Sequence, residues 1–157
     1  MSKLTIGFIG LGNMGGPMAA NLAAAGHTVR GNDVAGTTAE GVAEAKTIAE
    51  AVTDAEVVIT MLPNGAILRQ VAEEAVAHMA PGALLIDHTT TSQSLAISLA
   101  ATAAESGVSF LDAPVSGGVG RAKIGELMIM VGGSDAAVAA AHVPIHLLFR
   151  EHHGAAL

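Results

Sequence analysis

The run Gly10-Leu11-Gly12-Asn13-Met14-Gly15 constrains this chain more than any other stretch, because of what stands on either side of it. Before it lies a short apolar run, Leu4 to Ile9. After it come an Ala-rich helical segment to Ala25, then Gly26, a second short extended run and Asp33. Strand, G-x-G-x-x-G turn, helix, strand and acidic residue together make the fingerprint of a dinucleotide-binding unit. Gly10 permits the tight turn, Gly12 lets the backbone approach a pyrophosphate, and Gly15 lets the helix pack on the strand. The helix N-terminus adds free N–H groups and the positive end of its dipole. Pro17 falls in the first helical turn, where its missing N–H costs nothing. Asp33 follows Gly15 by 18 residues, near the spacing of about 20 for a carboxylate that binds a ribose 2′-OH. The cofactor-binding candidates from this unit are Gly10, Leu11, Gly12, Asn13, Met14, Gly15 and Asp33.

Composition removes several functions. A length of 157 residues suits one domain. Seven Lys and Arg stand against 14 Asp and Glu, with no basic stripe, so no nucleic-acid partner is expected. No apolar run approaches the roughly 18 residues of a membrane span, and the chain enters its first strand too early for a signal peptide. With no cysteine there is neither disulfide nor thiol chemistry. A cytoplasmic enzyme is the expectation.

Beyond Asp33, residues 35–46 are small, polar and weakly periodic and predict a loose helix, with Thr47-Ile48 as a short third strand. Val57 to Met61 is a continuous apolar, β-branched run suited to a strand buried on both faces. It ends at the turn signal Leu62-Pro63-Asn64-Gly65. Ile67 to Met79 predicts an amphipathic helix stopped by Pro81-Gly82. Leu84 to Asp87 is the next strand, followed by a Thr/Ser cluster that caps a helix to about Glu105. Val108 to Ala113 and Leu127 to Val131 predict two more strands, with Pro114 to Gly120 as a flexible polar turn between them. The alternation implies an α/β fold, a doubly wound, mainly parallel Rossmann-type sheet with helices on both faces. Gly31 and Asn32 predict a weak second strand. Near the C-terminus, Pro144 is expected to interrupt the helix begun at Asp135. His142 and His146 have the i,i+4 spacing of half a metal site, which that break argues against. His152 and His153 point apart on any regular element, so no metal ligand is assigned.

In an open α/β sheet, ligands lie beyond the carboxyl ends of the strands. That rule selects Gly10 to Gly15, Asp33, Leu62-Pro63, Asp87 to Thr90 and Ala113 to Gly118. Leu62 and Pro63 offer apolar and backbone contact, or simply end a strand. Thr89 and Thr90 offer hydroxyls to a cofactor, or cap the next helix. Ser116-Gly117-Gly118 presents a hydroxyl and successive N–H groups, a shape suited to a carboxylate. His88 follows a strand end, as an acid or base would, but a histidine without a partner is more often structural. Lys123 in a loop reads as a solvated cation.

The stretches GFIGLGNMGGPMAANL (7–22), VVITMLP (57–63), DHTTT (87–91), and FLDAPVSGGVG through GELMIMVGG (110–133) resemble the β-hydroxyacid dehydrogenase family, nearest its 3-hydroxyisobutyrate dehydrogenase branch. The resemblance implies a nicotinamide cofactor on Gly10 to Gly15, Leu62, Pro63 and Thr90. It further implies that Ser116, Gly117 and Gly118 hold the carboxylate of a small hydroxy acid. The implied reaction is reversible oxidation of a 3-hydroxy acid to the semialdehyde by hydride transfer. Asp33 followed by Val34, where NADP-preferring relatives tend to place Asn then Arg, favours NAD over NADP. Tartronate semialdehyde reductase, a 6-phosphogluconate dehydrogenase relative and a non-catalytic nucleotide-binding module are the alternatives.

Members of that family are roughly twice as long. Their catalytic lysine lies on a helix leading into an all-helical second domain, through which they form dimers or tetramers; a homo-oligomer is thus a candidate state. Lys123 does not match that lysine, and no catalytic residue is assigned to this chain. The resemblance fails near Ala141, so the expected organisation is an NAD-binding domain over 1–141 and an atypical tail over 142–157. The expected consequence is a chain that is inactive by itself.

Overall fold

The computed structural model describes residues 2–146. Strand β1 (Thr5–Ile9) leads through the glycine turn into helix α1 (Gly15–Ala24), then β2 (Thr28–Asn32) and β3 (Ala43–Glu44). Helix α2 (Ile48–Val52), β4 (Val57–Thr60), α3 (Gly65–His78), β5 (Leu84–Asp87), α4 (Gln93–Glu105) and β6 (Ser109–Asp112) follow. The chain continues with β7 (Val115–Ser116), α5 (Gly118–Ile124), β8 (Met128–Ile129) and α6 (Asp135–His146).

Six strands form one parallel sheet in the order β3-β2-β1-β4-β5-β6. The chain moves outward from β1 to β3, then crosses back to β4, so β1 and β4 flank the switch point where a crevice opens. Alternate strand residues face opposite layers. Ile6, Phe8, Ile59, Ile86 and Leu111 pack with Met18 and Leu22 of α1, Ala122 of α5 and Ala137 of α6. Ile9, Val58, Leu85 and Phe110 pack with α2, α3 and α4 through Val52, Leu68 and Leu99. The doubly wound Rossmann-type expectation holds. Among the described residues no helix is long and apolar enough to cross a membrane.

Several local expectations fail. Residues 35–46 are not helical, because Gly36 and Gly41 both adopt left-handed φ values of 72°, which interrupt a right-handed helix. The third strand is Ala43–Glu44 rather than Thr47-Ile48. Thr47 instead caps α2: its Oγ1 accepts from Glu50 N–H at 3.1 Å, while Glu50 Oε2 accepts from Lys46 N–H at 2.8 Å. This is a variant of the capping box. Strand β2, where Gly31 and Asn32 predict weakness, pairs with β1 along its whole length and with β3 on its other side. At Gly31 a Cβ would stand 2.7 Å from Leu11 Cδ1 and 2.8 Å from Val42 Cγ1, so the missing side chain is a packing requirement. Asn32 Nδ2 donates to Ala45 O at 2.9 Å.

The segment expected to be a flexible turn after β6 holds β7 and the start of α5, which places Lys123 on a helix. The strand expected at 127–131 is the short β8. It pairs antiparallel with β7 outside the parallel sheet, and a bridge between Asp112 and Gly132 ties the ribbon to β6. Pro144 does not stop α6, which runs on to His146. A proline so near a helix end removes only one hydrogen bond from the last turns. His152 and His153 lie outside the described residues.

Candidate functional site

The glycine turn is set by close packing on both sides. Gly10 has φ 96° and donates its N–H to Asn32 O at 2.9 Å. A Cβ there would collide with Met61 O across the β1–β4 crevice, and one at Gly15 would collide with Gly10 O. At Gly12 a Cβ would meet nothing within 4 Å, so the space above the turn is open where a pyrophosphate would approach. Among the described residues, none accepts from the N–H groups of Gly12, Asn13 or Met14. Leu11 is buried, and its N–H is committed: it donates to Asp33 Oδ2 at 2.8 Å. Asp33 Oδ1 accepts from Ala35 N–H at 2.9 Å. The carboxylate thus locks the end of β2 to the turn after β1 while staying half-buried, beside the fully exposed Val34.

The other candidates continue along the same edge. Leu62 is half-buried, and Pro63 and Thr90 are exposed. Thr90 rims an open groove of about 620 Å³ between the first turns of α3 and α4, with Gly65, Arg69 and Ser94. Neither Thr89 nor Thr90 caps α4. Ser92 does so, accepting from Leu95 N–H, as Asn64 does for α3. Ser116 lies on β7 opposite Met128, and Gly117 and Gly118 follow it at the start of α5, all three exposed. From Asp33 through Gly10–Gly15, Leu62-Pro63 and Thr90 to Ser116–Gly118, the candidates follow β2, β1, β4, β5 and β6 in spatial order. Lys123 is exposed on α5, beside a second groove formed with α1 and Gly41.

Between the strand ends lies a buried polar network that the sequence did not announce. Thr60 and Asp87 are register partners on β4 and β5, and both are fully buried, as is Thr89. Thr60 Oγ1–H donates to Asp87 Oδ1 at 2.8 Å, and Thr89 N–H donates to the same oxygen at 3.0 Å. Leu62 N–H donates to Thr89 Oγ1 at 3.0 Å. Burial pushes the Asp87 carboxyl up to about 6, against the opposing pull of these hydrogen bonds and with a smaller upward push from Asp112. Burial also raises Asp112. The signal for this network was Asp87 itself, a carboxylate closing an otherwise apolar buried strand.

His88 is enclosed in the interior rather than open to the crevice. It is fully buried and pushed down to about 4 by that burial, so it is neutral near pH 7. Its Nδ1 lies 2.6 Å from Ala113 O, which can only accept, so Nδ1 carries the proton. Ala113 N–H donates to Asp87 O at 2.7 Å, and together these bonds stitch the segment after β5 to the one after β6. The role is structural. Among the described residues, no group of three or more His, Asp or Glu is placed to hold a metal ion.

Residues 5–146 match the family described as the NAD binding domain of 6-phosphogluconate dehydrogenase. The chain belongs to this family. A probable 3-hydroxyisobutyrate dehydrogenase of Mycobacterium bovis is 47% identical over 136 residues, 83% of this chain and 46% of that protein. The 3-hydroxyisobutyrate dehydrogenase of Pseudomonas aeruginosa is 44% identical over 136 residues, 82% of this chain and 46% of that one. The solved structure of Mycobacterium tuberculosis 3-hydroxyisobutyrate dehydrogenase with L-serine shares the fold at a TM-score of 0.94 and 42% identity, covering 99% of this chain and 55% of the other. The chain spans about half the length of the curated relatives it matches. Residues 5–146 are therefore the NAD(P)-binding domain of a protein like the 3-hydroxyisobutyrate dehydrogenases.

Proposed function

We propose that this domain binds NAD(H), in preference to NADP(H), for the oxidation of a small 3-hydroxy acid such as 3-hydroxyisobutyrate. The observation that carries the cofactor choice is the position of Asp33, whose carboxylate is anchored on Leu11 N–H at the mouth of the glycine turn. A carboxylate there accepts from a free ribose 2′-OH and repels a 2′-phosphate. The open space above Gly12 and the free N–H groups of Gly12, Asn13 and Met14 fit the pyrophosphate. The nicotinamide would lie across the crevice against Leu62, Pro63 and Thr90, where it supplies the hydride acceptor. Ser116, Gly117 and Gly118, exposed beyond β6, would hold the substrate carboxylate.

This chain's residues bind and orient in this scheme, and none of them moves the hydroxyl proton. Lys123 is exposed on the helix that follows the Ser116 segment, and no lysine stands among the candidates at the strand ends. The 157-residue chain is therefore assigned nucleotide binding without turnover. Calorimetric titration with NADH and NADPH tests this. NADH should bind at least about tenfold more tightly than NADPH, a difference on the order of 1.4 kcal/mol. NADPH binding as tightly as NADH, or no nucleotide binding at all, overturns the cofactor assignment. Steady oxidation of 3-hydroxyisobutyrate by the pure chain overturns the assignment of binding alone.

A further inference from the structure

We propose that Thr89 is a positioning residue for the nicotinamide half of the cofactor, its hydroxyl fixing the Leu62-Pro63 backbone against Thr90. This rests on the NAD(H) reading above and adds to it a residue that touches no ligand.

The parallel ladder between β4 and β5 ends where His88 N–H donates to Thr60 O at 2.8 Å. Two residues past the end of β4, Leu62 N–H donates to no carbonyl among the described residues. Its acceptor is the Thr89 side chain. Thr89 is itself held by its own N–H on Asp87 Oδ1, and Asp87 by the Thr60 hydroxyl. All three side chains are fully buried, so the connection is shielded from water and has one geometry. Its two ends open onto the surface: Leu62 leads to exposed Pro63, and Thr89 to exposed Thr90. These are the residues assigned to the nicotinamide side. The adenosine side is held separately, through Asp33 and Leu11 N–H, two strands away.

That separation makes the test selective. Thr89→Val keeps the shape and removes the acceptor; Thr89→Ser keeps the hydroxyl. Calorimetry on the 157-residue chain should use NADH and ADP-ribose, the latter lacking the nicotinamide. Thr89→Val should weaken NADH about tenfold, the effect of losing one buried hydrogen bond that holds a contact in place. ADP-ribose should bind it within about twofold of the parent, and Thr89→Ser should restore NADH. A general packing role would lower both ligands together and would not be rescued by serine. Equal loss of both, or no change in either, overturns the proposal. If Thr89→Val fails to fold, Thr60→Val reaches the same chain from its other end, and an unchanged ratio of NADH to ADP-ribose affinity there overturns it equally. A parent chain that binds neither ligand refutes the NAD(H) reading and takes this proposal with it. Binding of both ligands with ratios unmoved by the variants refutes this proposal alone.

Discussion

Asp87 and His88 are adjacent and fully buried, and burial drives them in opposite directions across the same pH window. The Asp87 carboxyl rises from 3.8 to about 6, and the His88 imidazole falls from 6.5 to about 4. Asp87 holds its proton more tightly in the folded chain. Its contribution to stability is complete below pH 3.8 and is lost as pH rises through about 6. At about 1.4 kcal/mol per pH unit, that loss is roughly 3 kcal/mol. His88 does the reverse. Its contribution is present above pH 6.5 and is lost as pH falls through about 4, again by roughly 3 kcal/mol. Asp112, raised, adds to the first slope, and His27, lowered, adds to the second. The two main slopes nearly cancel, so each hides the other in the parent chain. Asp87→Asn retains an acceptor oxygen for Thr60 and Thr89 and abolishes the titration. Relative to the parent, the variant should gain up to about 3 kcal/mol as pH rises from about 4 to about 6.5. His88→Asn, which keeps a donor for Ala113 O, should shift the other way. Urea unfolding followed by circular dichroism at half-unit pH steps measures both differences, and carboxylates common to all three chains drop out. An Asp87→Asn profile parallel to the parent across that window would refute the assignment of opposed buried titrations.

The glycine turn supplies a paired prediction. Gly15→Ala puts a methyl group into Gly10 O and should cost about 3 kcal/mol or more in urea unfolding. Gly12→Ala meets no protein atom within 4 Å and should leave stability within about 0.5 kcal/mol while weakening NADH in calorimetry. Asn64 caps α3 by accepting from Ile67 N–H at 3.0 Å. Asn64→Ala should lower unfolding stability by about 1 kcal/mol, and an unchanged denaturation midpoint would show the cap to be idle.

The parts of this fold that were legible in the sequence are those whose causes are local. Glycines at 10, 12 and 15 declare a turn because their spacing falls within one strand–turn–helix unit, although the contact that requires Gly10 comes from Met61, just past β4. The apolar runs Val57 to Met61 and Leu84 to Ile86 declare strands because short continuous apolar stretches bounded by turn signals suit strands buried on both faces. Residues 35–46 misled because small polar residues suit a helix weakly. The two glycines within that stretch, Gly36 and Gly41, take left-handed φ and break the helix. The Thr47–Glu50 spacing carried a capping signal that the β-branched pair Thr47-Ile48 obscured. Strands β7 and β8 are two residues each, too short for any period to register, and are fixed by pairing with each other. Gly31 shows the limit of propensity: an unfavourable strand residue is required where Leu11 and Val42 arrive from either side. Asp87 signals a buried polar group, but its network was not legible because the bonds that build it join residues 27 apart in sequence, Thr60 to Asp87 and Leu62 to Thr89.

On the proposed reading, the carboxyl edge of the sheet is held by two side-chain locks of the same kind, one on each side of the switch point. In each, a side chain one or two residues past one strand captures a backbone N–H two residues past its neighbour: Asp33 takes Leu11, and Thr89 takes Leu62. Their chemistry differs where their tasks differ. Asp33 must meet the ligand as well as hold the turn, so it carries charge and remains half-exposed, with lone pairs to spare for a hydroxyl. Thr89 only holds, so it is neutral and buried, where a hydroxyl satisfies one N–H without the cost of a desolvated charge. The charge that anchors this second lock sits one step deeper, on Asp87, where burial raises its proton affinity. A site arranged this way has its nucleotide geometry set by the sheet ends themselves before any ligand arrives. On this proposal, cofactor selection rests on a half-buried carboxylate at one end, and nicotinamide placement rests on a buried hydroxyl at the other.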